Sequence, residues 1–127
     1  MEQPEATGAE HVSVRMEEYL AALRKAGEPE QAAVGYGLNA AYAVFRQAFA
    51  SESAFRAAEP RAQAEFLERL HAMQEKLGQQ TGTAWGFRLF WMHARLMMES
   101  DANVALRFAP ELERLGAKGK QHVGTNP

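Results

Sequence analysis

The chain of 127 residues has no cysteine and no isoleucine, and it is poor in valine and threonine. Without cysteine there is no disulfide framework, no thiolate-ligated zinc and no thiol chemistry. Alanine, leucine, glutamate and arginine are abundant instead. Such a palette favours helices, because β-branched residues lose rotamer freedom in a helix whereas alanine and unbranched side chains lose little. An all-α fold is the expectation. An excess of charge of one sign is lacking too, the formal net charge being −2. No global field attracts a polyanion and the body of the chain holds no basic patch, so no nucleic-acid partner is expected. Long apolar runs are also missing. Leu89–Met92 falls far short of the roughly 20 residues that cross a bilayer, and Arg88, His93 and Arg95 surround it, so no membrane span is expected. The opening stretch MEQPEATGAEH carries glutamates and no apolar run, which fits neither a secretory signal nor an Arg-rich transit peptide. With the arginine- and alanine-heavy composition, this gives a bacterial, cytoplasmic protein as the expectation.

The length suits one domain over residues 1–127, with 1–12 and 117–127 expected as flexible tails. A first helix is expected from Ser13, whose hydroxyl would cap it, to Ala26, with Met16, Leu20 and Leu23 facing inward. A second begins at Pro29 and runs to about Ala50. Its Val34, Leu38, Ala41, Phe45 and Phe49 recur at spacings of 4, 3, 4 and 4, an amphipathic signature. Gly35 and Gly37 interrupt that helix, where each costs about 1 kcal/mol relative to alanine. Close packing is the usual reason for such glycines. Ser51 to Glu59 is either a ragged extension or a separate turn around Phe55. Pro60 opens a third helix bearing Phe66, Leu70, Met73 and Leu77, and Gly78 ends it. GQQTGT is a loop, with Thr81 or Thr83 capping a fourth helix. Past Ser100 and Asp101, expected in capping and turn roles, a short helix carries Val104, Ala105 and Phe108 inward. Pro110 then kinks it or starts one more turn, closing on Gly116. The predicted architecture is an antiparallel bundle of four main helices plus a short C-terminal one.

The fourth helix is the most unusual element. Over Ala84–Met98, Arg88 and Arg95 with the adjoining Glu99 fall within a strip about 40° wide, and nearly all the remaining circumference, about 300°, is apolar. Three amphipathic neighbours offer too little surface to cover such an arc, so the pattern predicts a homodimer packed through this helix. Trp85, Phe90, Trp91, Met92 and Met98 would form the interface, being residue types that dominate interface energetics.

Few residues point to chemistry. Glu68 and His71 make an E-x-x-H pair of the kind found in carboxylate-bridged di-metal bundles, but no second such pair exists and both face away from the apolar stripe. A solvated helix face is the plainer interpretation, and no metal site is expected. Ser13, Ser51, Ser53 and Ser100 lie in no G-x-S-x-G elbow. Gly35-Tyr36-Gly37 follows no strand and so is not a phosphate loop. Lys118, Lys120 and His122 lend the C-terminal segment only a weak positive charge.

His93 stands out, because an imidazole on an apolar helix face needs a hydrogen-bond partner. It is either a structural histidine bonded to a buried side chain or a neighbouring carbonyl, with Asn39 and Tyr42 as partners, or a ligand to haem or another flat cofactor. The sequence therefore predicts a non-enzymatic helical interaction protein, a regulator, adaptor or assembly factor, with no catalytic residue and no resident cofactor. The alternative is a small-molecule or haem- or flavin-type cofactor binder with a pocket around His93, Trp85, Asn39 and Tyr42. A hydrolase or lyase using His93 as base is the weakest possibility, since no oxyanion apparatus accompanies it.

Overall fold

A computed structural model describes residues 8–78, 82–99 and 102–124. Among the described residues the fold is entirely helical: α1 (Gly8–Lys25), α2 (Glu28–Ala48), α3 (Glu52–Ala57), α4 (Pro60–Lys76), α5 (Thr83–Glu99), α6 (Ala102–Leu106) and α7 (Ala109–Gly124). The all-α bundle is thus as the composition predicts. Five helices are long rather than four, and the segment around Phe55 is a helix of its own, so the tryptophan-bearing helix is the fifth.

Local signals account for most boundaries. Pro29 and Pro60 sit in the first turns of α2 and α4, where a missing N–H costs nothing. Ser51 caps α3, its Oγ accepting from the Ala54 N–H at 3.1 Å. Two glutamines close the preceding helices. Gln31 Nε2 donates to the carbonyls of Leu23 (3.0 Å) and Ala26 (3.1 Å) at the end of α1, and Gln63 Nε2 donates to that of Phe55 at 2.6 Å at the end of α3. Both side chains are buried, and each adds a second donor to a carbonyl in a last helical turn, beside the backbone N–H that Leu23 accepts from Ala26 and Phe55 from Ala58.

Three expectations need correction. Ser13 does not start α1, which begins at Gly8; it lies within the helix and its Oγ accepts from Arg107 Nη2 at 3.2 Å. The chain does not turn irregular after Gly116, because Pro110 occupies the first turn of a full helix that runs to Gly124. That segment looks aperiodic because glycines supply its contact face, and glycine carries no apolar signature. Residues 8–12 likewise belong to α1, with Val12 buried. Thr81, Ser100 and Asp101 lie outside the described residues, as do the side chains of Lys120 and His122.

Helix α5 occupies the centre, packed by α1, α2, α4 and α6. Gly82, whose φ of +82° suits glycine, lies over Ala33; Gly86 meets Gly37; Phe90 meets Tyr42. These pairs advance together, so α2 and α5 run in the same direction. On α1 the order is opposite, Tyr19 stacking on Trp85 while Arg15 shares a shallow hollow with Met92. The Gly37–Gly86 crossing and a second one on another side of α2, where Gly35 meets Leu115 and Gly119 of α7, bring backbones so close that a Cβ at any of these glycines would collide with main-chain atoms. Phe45 centres the core. Its ring lies 5.5–5.8 Å from those of Tyr42, Phe49, Phe55, Phe66 and Phe90, mostly edge to face.

Candidate functional site

Backbone contact between α2 and α7 ends where α7 changes from glycine to larger residues toward its start, and there the helices part around a cavity of about 350 Å³. Helix α2 contributes Leu38, Asn39, Tyr42 and Arg46, positions that share one face at helical spacing. Phe90 and His93 enter from α5, one turn apart, and Glu52 enters from the first turn of α3. The remaining wall is α7, with Ala109, Leu112, Glu113, Gly116 and Ala117. Asn39, Tyr42 and His93 therefore meet at one site. Trp85 does not join them.

The polar side chains are already held. Asn39 Nδ2 donates to the Gly116 carbonyl at 3.0 Å. The Tyr42 hydroxyl donates to Glu52 Oε2 at 3.0 Å. Burial, reinforced by the carboxylate of Glu52, pushes the Tyr42 phenol up to about 12, so it remains a donor. The Arg46 guanidinium lies over the Tyr42 ring, 4.7 Å from its centroid.

His93 is only 3% exposed. Its Nε2 lies 3.2 Å from the carbonyl of Ala105 in α6. A carbonyl only accepts, so Nε2 carries the proton and Nδ1 is a lone-pair acceptor. The partner is therefore a backbone carbonyl rather than Asn39 or Tyr42, both of which bond elsewhere around the same cavity. Burial lowers the pKa of the imidazole below its ordinary 6.5; Glu52 and the bond to Ala105 oppose that shift, and Arg56 adds to it.

The five aromatic and thioether residues expected at an interface separate. Phe90 (2% exposed) and Met92 (3%) are core residues of the single chain. Trp85, 36% exposed, stacks on Tyr19 with centroids 4.1 Å apart and has Arg88 over its ring. Trp91 and Met98 are half-buried on another side, flanking a trough of about 990 Å³ between α4 and α5 with Leu67 on its floor. Trp85 and Trp91 are six residues apart and so about 120° apart around the helix, which splits the expected surface in two. His71 approaches Glu75 at 3.6 Å rather than Glu68, and no cluster of three or more metal-ligating side chains occurs among the described residues. Lys118 is engaged by Glu28 at 2.7 Å. No helix among the described residues is long and apolar enough to cross a membrane.

The buried glutamines and the Glu52 wall escaped the sequence pattern. Gln31 and Gln63 follow helix-opening prolines by two and three residues, a spacing that could have exposed them. Glu52 carried no signal, since only the docking of α3 brings it beside Tyr42. No known protein family, curated protein or solved structure matches the chain.

Proposed function

We propose that the protein is a small-molecule binder whose ligand lodges between α2, α5 and α7. One observation carries this reading: Asn39, Tyr42 and His93 converge on a single cavity of about 350 Å³ floored by Phe90. That volume lies at the small end of the range for ligand sites, which combine apolar walls with a few fixed polar groups. Side chains locked by their own hydrogen bonds lose little freedom on binding, which favours affinity. With Nε2 engaged by Ala105 and so little space, a compact organic ligand fits better than a haem or flavin ring. The composition favours a bacterial cytoplasmic setting for it. Native mass spectrometry of freshly purified protein, together with an NMR fragment screen, tests the proposal. A retained small adduct, or fragment-induced shifts confined to the amides around Asn39, Tyr42, Phe90 and His93, is expected. Absence of both would refute it.

A second reading, a helical interaction protein assembling with another copy of itself, draws on the trough where Trp91 and Met98 flank Leu67. Half-buried aromatic and thioether surface of this kind favours association.

A further inference from the structure

The hydrogen-bond inventory of the α2–α5–α7 cavity is weighted toward acceptors. Three of its polar side chains have spent donors on the protein itself: Asn39 Nδ2 on Gly116, the Tyr42 hydroxyl on Glu52, and His93 Nε2 on Ala105. Apart from the Arg46 guanidinium and the second Nδ2 hydrogen of Asn39, the unspent groups on the wall are acceptors: Asn39 Oδ1, the Glu52 carboxylate and the Nδ1 lone pair of a nearly fully buried imidazole. That Nδ1 makes no hydrogen bond among the described residues. Of the charged groups on the wall, Glu52 and Glu113 are anionic and Arg46 alone is cationic, its guanidinium drawn over the Tyr42 ring. Leu38, Phe90 and Leu112 supply the apolar surface.

A ligand matched to such a wall brings its own donors and a positive charge. We infer that the site takes a small primary amine in its ammonium form, carried on an apolar body that packs against Phe90. The ammonium group has three donors and no acceptor, the complement of the unspent acceptors around it. Glu52 is the principal counter-charge, held in place by Tyr42 and only partly exposed, so its hydrogen bond to an ammonium group is charge-assisted and poorly screened. A carboxylate ligand would meet Glu52 and Glu113 with Arg46 as the one cation on the wall.

This inference rests on the small-molecule reading above, and one titration series separates the two. Calorimetric titrations of the full chain use 2-phenylethylamine, 2-phenylethanol and 3-phenylpropanoate, which share an aromatic body and differ in the polar group. The amine binds more tightly than either of the others by about tenfold or more. In Glu52→Gln, whose amide can still accept from Tyr42, that preference falls about tenfold while the alcohol's affinity is unchanged. A thermal melt checks that this variant is folded, and Glu113→Gln provides a second, more exposed change of charge that weakens amine binding less. Equal or tighter binding of the alcohol or the carboxylate overturns the ammonium assignment and leaves a small-molecule site standing. Binding of none of the three probes at millimolar concentration, together with a silent fragment screen, overturns both.

Discussion

At the scale of single residues, His93 links the core to the pH of the solution. The unfolded chain takes up a proton on this ring as the pH falls through about 6.5, whereas the folded chain, having buried it, resists until lower pH. The unfolded state therefore binds more protons in that window. The contribution of His93 to stability is complete above pH 6.5 and is lost as the pH falls toward the lowered folded-state value. Urea unfolding at pH 7.5 and 5.5 should reveal a larger loss for the natural chain than for His93→Gln, whose amide can still donate to Ala105. Parallel losses would show that the imidazole does not carry the effect. The buried glutamines act without titrating. Truncation of Gln63 to alanine removes its bond to the Phe55 carbonyl, which keeps the Ala58 N–H, and should cost about 0.5–1.5 kcal/mol, measured as a shift of the urea midpoint at unchanged slope. Only part of this chemistry was legible in the chain. His93 drew notice because a lone imidazole on an apolar face demands a partner, yet that partner is a carbonyl, and backbone acceptors leave no trace in side-chain identity.

At the scale of helices, the two glycine crossings determine how closely α2 meets α5 and α7. A methyl group at Gly35 would enter the space of the Leu115 carbonyl oxygen and the Gly119 backbone. Gly35→Ala should therefore cost about 3 kcal/mol or more, at or above the usual range for overpacking, despite alanine's better helix propensity. Gly116 offers the contrast. A methyl group there meets only Asn39 Oδ1 at 3.4 Å, so Gly116→Ala should be neutral or stabilising by up to about 1 kcal/mol. Thermal unfolding of the two variants checks both values, and similar losses would remove the claim that backbone approach sets the Gly35 cost. The stripe of α2 and the prolines opening α2 and α4 were visible in sequence because periodicity and backbone chemistry are local. The length of α7 was not, since a helix that docks through glycines shows no apolar repeat.

At the scale of the whole molecule, α5 needs a second copy of the chain less than its apolar circumference implies. The apolar arc of α5 is largely covered by α1, α2, α4 and α6 of the same chain, α6 being the neighbour that a count of three amphipathic helices did not include. What the described residues leave uncovered is the Trp85 edge and the trough beside Trp91 and Met98. If that trough is the self-association surface, light scattering at tens of micromolar should give twice the chain mass, and Trp91→Glu should return it to one while preserving the helical circular dichroism. A monomeric mass for the natural chain would eliminate the reading.

The amino-acid sequence by itself determined the helical class, most helix starts, the inward stripes and the oddity of His93, because propensity, capping and periodicity act over a few residues. Tertiary structure alone decided that Glu52 joins Asn39, Tyr42 and His93 around one cavity and that Trp85 does not. The side chains that meet there come from three helices, with His93 more than 40 residues from the others, and their meeting depends on how closely glycines let the backbones approach, a distance that no local pattern encodes.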